Sequence, residues 1–418
     1  MKLSDYVEFN PRVVLARGEM TLFVSMDVVE PGVKNVYPLE RRPAQGSGSK
    51  FSPSDTLFAR ITPCLQNGKI AQYSGDSSGM GSTEFFVLRA RAGLADPDFV
   101  YYFSQKRELR LAAENSMTGA SGRQRASISA LADFECTFPS LEMQRQIAGV
   151  LNSYEELIEN NRRRIKILET IAKNIYKEWF VHLRYPGYET TKFIDTALGK
   201  VPEAWQIKPL SDLIVDHIGG GWGEAVENDM FKHAAWVIRG TDIPEGRYLQ
   251  TESVPFRFHK ESNLMSRKLK VGDIIFEVSG GSKDQPVGRS LLVSHDLLDS
   301  LPGSVMCASF CKRVQPKNNV YLSELLYLSL LEGYENGEIE KYQVQSTGIS
   351  NFKWTEYIAN TLRVIPDDKM QLKFSSYIGP IFKQISTLGL QIKNLSETRN
   401  LLLPTLLARE IPYLVISK

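Results

Sequence analysis

The feature that most constrains this chain is that it repeats itself. Leu3-Ser4-Asp5 returns as Leu210-Ser211-Asp212, each just ahead of a short apolar stretch, and Asp55-Thr56-Leu57-Phe58 returns as Asp273-Ile274-Ile275-Phe276. Thr118-Gly119 is matched by Thr347-Gly348, and Pro139 with Gln144 by Pro366 with Gln371. The order is kept and the interval widens slowly, as insertions in the surface loops of a duplicated unit would make it. A chain of 418 residues exceeds one ordinary hydrophobic core, so two similar units are expected.

Each copy changes texture in the same way. The first part, to about Phe138 and again to about Ile365, is rich in Gly, Ser, Thr, Tyr and Phe with short alternating runs. Ser82 to Arg89 and Val271 to Val278 read as strands, and Pro97 to Leu111 and Tyr321 to Leu331 read as helices, so each part is α+β. The glycine run Gly219-Gly220-Gly221-Trp222-Gly223 reads as a flexible loop.

A strongly periodic segment closes each copy. Leu151, Ile158, Ile165, Ala172 and Trp179 stand seven apart, with Ile147, Tyr154, Leu168 and Ile175 at the alternate seam positions. In the second copy Ile378, Ile385 and Ile392 stand in the same relation to Phe374, Ile381, Leu388, Leu395 and Leu402. This is a coiled-coil pattern, and about 30 residues at about 1.5 Å each span roughly 45 Å. The two helices are each other's obvious partner. Asn161 falls on the seam, where a buried polar residue costs stability and fixes register. Gly379-Pro380 suggests the start of the second helix and Pro404 its end or a kink. The fold expected is therefore α+β, two domains of similar fold separated by two long antiparallel coiled-coil helices, with an internal pseudo-twofold repeat.

Bulk numbers exclude more than they select. With 42% hydrophobic and 23% charged residues the chain is of globular type, and a net charge of +2 means that any basic footprint is local. Cys64, Cys136, Cys307 and Cys311 form no CxxC pair and have no histidines at ligand spacing, so they read as reduced cytosolic thiols and not as a zinc site. No signal-type segment opens the chain and no apolar run reaches 18 residues, which predicts a soluble, cytoplasmic protein without membrane contact. No GxxxxGK[ST] loop, GxSxG elbow or HExxH pair is present, and neither Asn10-Pro11-Arg12 nor Pro366-Asp367 completes a methyltransferase or nuclease motif. The expectation is a non-catalytic chain.

Three segments carry a family likeness. LFARITPCLQNGKIA (Leu57 to Ala71), PSLEMQRQIAGVL (Pro139 to Leu151) and KNIYKEWFVHL (Lys173 to Leu183) resemble the specificity subunits of type I restriction–modification systems, as do LGKVPEAWQIKPLSDL (Leu198 to Leu213) and RNLLLPTLLAREI (Arg399 to Ile411). The resemblance implies two target-recognition domains, residues 1–140 and 191–365, each reading half of a bipartite DNA site, with helical spacers at 141–190 and 366–418. It implies double-stranded DNA, two methyltransferase subunits and restriction subunits as partners. Under it this chain holds no cofactor, while S-adenosylmethionine, ATP and Mg belong to those partners. One departure is that Pro366-Asp367-Asp368-Lys369-Met370-Gln371 lacks the second Leu-Glu of the pattern. A rival reading is a coiled-coil adaptor that assembles a DNA-processing complex without reading sequence.

Arginine suits guanine, and asparagine or glutamine suits adenine, while phosphate contacts supply affinity. In the first unit the segment 118–125 is the leading candidate, with Thr118, Ser121, Arg123, Gln124 and Arg125, followed by Arg60 and the turn bearing Gln66, Asn67 and Lys69. In the second unit the counterparts are Thr347, Ser350, Asn351 and Lys353, then Ser282 and Lys283, then Arg239. The run Arg162-Arg163-Arg164 with Lys166 reads as a solvated helix face. Trp179 and Phe180 read either as anchors for a protein partner or as residues buried against the adjoining domain.

Overall fold

The computed structural model describes residues 1–38, 40–120, 122–280, 285–317, 320–346 and 349–408. The chain divides into two compact units: Met1–Glu159 with the described residues from Leu395 onward, and Asn160–Asn394. Each is a mixture of helix and sheet.

In the first unit a sheet runs in the order Val7–Phe9, Phe85–Ala90, Thr56–Ala59, Ile70–Tyr73, Asn35–Val36. Thr56–Ala59 is buried along its whole length, which its Leu-Phe-Ala run permits. A second sheet has Met20–Val24 parallel to Gly79–Gly81 and antiparallel to Glu40–Pro43. Helix Pro97–Ser104 packs on the first sheet and Arg107–Asn115 against helix Ile128–Ala132, and Asp96 caps the former by accepting from the amides of Asp98 and Phe99. Tyr6, Phe99, Phe103 and Phe138 fill the core beside Leu151.

The second unit repeats this plan. Ile214–Gly219, Cys311–Pro316, Ile274–Glu277 and Ser290–Leu292 form one sheet, in an order that corresponds to the first four strands of the five in the first unit's sheet. His233–Ile238 lies parallel to Val305–Cys307 and antiparallel to Phe256–His259, as in the companion sheet of the first unit. The repeated motifs do the same backbone work in both places. The Leu3 amide donates to the Phe134 carbonyl and the Leu210 amide to the Thr361 carbonyl, each at 2.9 Å. Asp55 and Asp273 each accept from the amide three residues earlier, Ser52 and Lys270.

Helix Leu141–Tyr176 has 36 residues and helix Asp368–Ala408 has 41. Their starts are built alike: the Gln144 side chain donates to the Pro139 carbonyl at 2.9 Å and the Gln371 side chain to the Pro366 carbonyl at 2.8 Å. The Met370 amide also donates to the Asp367 carboxylate at 2.8 Å, which places the cap twelve residues before the Gly379-Pro380 pair taken above as the start. The helix runs through Pro380 and Pro404 because packing overrides the missing amide: Phe374 and Ile378, on the near side of Pro380, are fully buried in the second unit's core. The seam residues Leu151, Ile158, Ile165 and Ala172 are buried, as are Ile378, Ile385, Leu388 and Ile392. In the second unit Asn161 donates to Gln391 at 3.2 Å; in the first, Arg399 pairs with Glu155 at 2.5 Å and donates to the Gly32 carbonyl.

The glycine run is packed, not a free loop. Gly220 and Gly221 donate to the carbonyls of Cys311 and Cys307, and a Cβ on Gly220 would stand 2.1 Å from the Cys307 oxygen. Only glycine lets the backbone approach so closely. No helix among the described residues is long and apolar enough to cross a membrane.

Candidate nucleic-acid interface

In the first unit the fold brings Arg60, Thr118, Gln124 and Arg125 onto one patch. The chain leaving strand Thr56–Ala59 pairs with the segment 118–125: Ile61 and Thr118 both stand opposite Arg125, and the Thr62 amide donates to the Gln124 carbonyl. Glu84 ties the charges together. The Arg125 Nε donates to both its oxygens at 3.0 and 2.9 Å and an Nη to Oε1 at 2.6 Å, while the Arg60 Nε donates to Oε2 at 3.3 Å. Hydrogen bonding from Arg125 holds the Glu84 carboxyl below the usual carboxylate range. Arg60 also lies 5.5 Å from the Phe86 ring centre.

The other candidates divide by what occupies them. Arg123, Gln66 and Asn67 are exposed, and the turn of Gln66 is held by Arg110, which donates to its carbonyl at 3.0 Å. Thr118 is exposed and Gln124 half-buried. Lys69 is turned back, its ammonium donating to the Met26 carbonyl at 2.9 Å. Ser121 lies outside the described residues.

In the second unit the corresponding loops also meet. Ser279–Gly280 pairs with Ile349–Phe352, which pairs with Gln343–Ser346, and the Ser279 hydroxyl donates to Asn351 Oδ1 at 2.8 Å. Strand alternation turns Ser350 inward, at 5% exposure, and leaves Asn351 outward. Lys353 is exposed beside Glu356 at 3.2 Å. Arg239 is engaged within the fold, bonded to both oxygens of the buried Asp242 and to the Ser253 carbonyl. Ser282, Lys283 and Thr347 lie outside the described residues; on the described ladder Val344, opposite Asn351, takes the place that Thr118 has opposite Arg125.

Of the two readings for Trp179 and Phe180, burial is what the fold has. Both are 7% exposed, with Trp179 packed 5.6 Å from the rings of Phe374 and Tyr377, and Phe180 4.8 Å from Phe374. Sequence reasoning missed Glu84, which it placed inside a strand; the strand begins at Phe85 and leaves Glu84 in the loop. It also missed Phe310, an exposed ring whose carbonyl accepts from the amides of Val278 and Ser279. Among the described residues no group of three or more His, Cys, Asp or Glu is placed to hold a metal ion.

The family described as "Type I restriction modification DNA specificity domain" matches residues 64–170, which include the segment 118–125. The MjaIX specificity subunit of a type I restriction enzyme from Methanocaldococcus jannaschii is 25% identical over 75% of this chain and 69% of its own length. The putative MjaX specificity subunit of the same organism is 26% identical over 38% of this chain, and the EcoAI specificity subunit of Escherichia coli 24% over 35%; this chain spans only 37% and 26% of those two. A solved S subunit from M. genitalium is 13% identical with a TM-score of 0.48, covering 99% of this chain and 96% of that one. The resemblance to type I specificity subunits stands on the family match and the curated relatives.

Proposed function

We propose that this chain is the sequence-reading, non-catalytic subunit of a type I restriction–modification complex. Residues 1–140 and 191–365 each act as a target-recognition domain for one half of a bipartite DNA site. Helical segments 141–190 and 366–418 pair antiparallel as the spacer that sets the gap and as the docking surface for two methyltransferase subunits, to which restriction subunits are added. Adenine methylation with S-adenosylmethionine, and ATP- and Mg-dependent cleavage, belong to those partners. The complex works in the cytoplasm, where such systems defend against phage DNA. Candidate DNA contacts in the first domain are Arg60, Gln66, Asn67, Thr118, Ser121, Arg123, Gln124 and Arg125, without Lys69, whose ammonium is taken by the Met26 carbonyl. In the second they are Ser282, Lys283, Thr347, Asn351 and Lys353, with Asn351 and Lys353 exposed; Arg239, bound to Asp242, and Ser350, turned inward, fall away.

The observation that carries this reading is that the same two-loop ladder occurs once in each unit, presenting long polar side chains in the same backbone frame. A duplicated reader suits a duplicated target. The test is to express the chain with its methyltransferase partner in a host lacking DNA methylation and to map methyladenine across the host genome. A split motif with a constant gap is the expected result. A stable complex that methylates nothing, or methylates without a split motif, would favour an adaptor that does not read sequence.

A further inference from the structure

The shared ladder permits a residue-by-residue comparison of the two patches. The Ala126 amide donates to the Arg60 carbonyl at 2.8 Å as the Phe352 amide donates to the Val278 carbonyl at 2.9 Å. Likewise the Arg60 amide donates to the Glu84 carbonyl as the Val278 amide donates to the Phe310 carbonyl. In this frame Arg125, opposite Ile61, corresponds to Asn351, opposite Ser279, and Glu84 corresponds to Phe310. The backbones match and the side chains do not.

In the first unit the guanidinium of Arg125 is gripped along one edge. Glu84 takes its Nε and one Nη, and Glu84 is itself only 17% exposed, so it is a fixed acceptor. A guanidinium has five N–H donors in a planar fork, and the edge formed by its two terminal nitrogens remains open. That edge is the one that can bond guanine O6 and N7 together. The grip also removes rotamer freedom before DNA arrives, and a carboxylate beside the guanidinium disfavours its use on a phosphate. In the second unit the corresponding residues are an amide, whose Oδ1 accepts from Ser279 and keeps a second lone pair while its Nδ2 is open, and an aromatic ring 55% exposed.

We propose that Glu84 is a positioning residue for base recognition: it presents the open edge of Arg125 to a guanine in the first half-site. At the corresponding place in the second half-site, Asn351 and Phe310 read an A·T pair, the amide on adenine and the ring against the thymine methyl. This rests on the proposed function and assigns a base class to each half.

The experiment uses the full chain with its methyltransferase partner in a methylation-free host, comparing methylated motifs of the wild type, Glu84→Gln, Arg125→Lys, their double variant and Phe310→Ala. Lysine keeps the charge but not the fork. The expected result is a wild-type split motif with an invariant guanine in one half. Glu84→Gln and Arg125→Lys each reduce the preference for that guanine by roughly tenfold to a hundredfold. The double variant is no broader than Arg125→Lys alone, the other half is unchanged, and Phe310→Ala broadens an A·T position only in that other half. Glu84→Gln that keeps the guanine sharp, a double variant whose loss is additive, broadening of both halves, or Phe310→Ala that leaves its half sharp overturns the proposal. Should Glu84→Gln fail to assemble, Arg125→Lys decides: an unchanged guanine preference overturns it. A wild type without a split motif instead refutes the proposed function itself.

Discussion

Lys34 offers a stability test whose size can be worked out beforehand. Its side chain is 7% exposed, and its ammonium donates to Asp98 Oδ1 at 2.8 Å and Asn152 Oδ1 at 2.5 Å while lying 5.2 Å from the Tyr102 ring centre. Asn152 and Tyr102 close the network, at 2.7 Å to Asp98 and 2.8 Å to Asn152. It therefore joins the sheet-covering helix Pro97–Ser104 to the long helix Leu141–Tyr176 within the first unit. Lys34→Met keeps the stem and removes the charge. Breaking a fully buried pair costs about 3–5 kcal/mol, but the Asp98 side chain is 36% exposed and keeps its bond from Asn152, so about 2–3 kcal/mol is expected. For a unit of this size that corresponds to a fall in Tm of roughly 4–10 °C. Calorimetry or urea unfolding of the full chain at neutral pH should read it, with little change at about 0.5 M salt because the Lys34 ammonium is buried. Lys34→Met with Asp98→Leu should recover much of the loss, since an apolar pair can replace a buried ion pair. Burial pushes the Asp98 carboxyl up, but Lys34 and Asn152 outweigh it and hold the group below its usual value. A depressed carboxylate contributes stability above its unfolded pKa of about 3.9 and loses it as pH falls through the folded value. The gap between wild type and Lys34→Met should thus close in acid. A single substitution costing less than about 0.5 kcal/mol, with no recovery in the double, would refute the account.

Trp179→Ala should destabilise the second unit by about 3–5 kcal/mol in urea unfolding, as removal of a packed core aromatic does; unchanged stability with weakened partner binding would restore the anchor reading. Asn161→Leu should raise the unfolding free energy read from urea titration by about 1–2 kcal/mol, because Gln391 is exposed and takes water instead while the seam gains apolar burial; a lowered value would mean that the amide pair is net stabilising. DNA binding by the assembled complex, titrated against salt, should give a log–log slope of about −0.9 per phosphate contacted. A slope near zero would remove the phosphate-contact part of the proposed interface.

What the sequence displayed well was work done locally. Leu3 and Leu210, Asp55 and Asp273, Gln144 and Gln371 each satisfy a backbone group in the same manner in both units, so the residue type recurs at a matched place. The long helices were legible for a related reason: the seam is a run of apolar side chains at one period, and burial follows it. The start of the second helix was misplaced because Gly-Pro is a strong local signal and the burial of Phe374 and Ile378 is not local. The glycine run looked free because nothing in the sequence announces that Cys307 and Cys311 lie against it. Glu84 was invisible as a partner of Arg60 and Arg125 since only long-range pairing brings the three together. Loop candidates could be named, but which side chains face outward waited on the register: Asn351 out, Ser350 in.

The same distinction bears on how the two copies of a duplicated unit diverge. Asp55, Asp273, Gln144 and Gln371 are buried and bond to backbone, so replacing any of them leaves amides or carbonyls unsatisfied at about 1–3 kcal/mol each. Arg125, Asn351 and Phe310 stand on the patch, and their side chains carry little of the fold: Arg125 is 47% exposed and Phe310 55%. Exposed ion pairs contribute about 0–1 kcal/mol, so substitution there falls within what a stable unit tolerates. The frame is therefore held by residues that cannot easily change, and the chemistry it presents by residues that can. Two copies under that division diverge in the side chains they present faster than in how they fold, which is the pattern that the ladder of each unit displays.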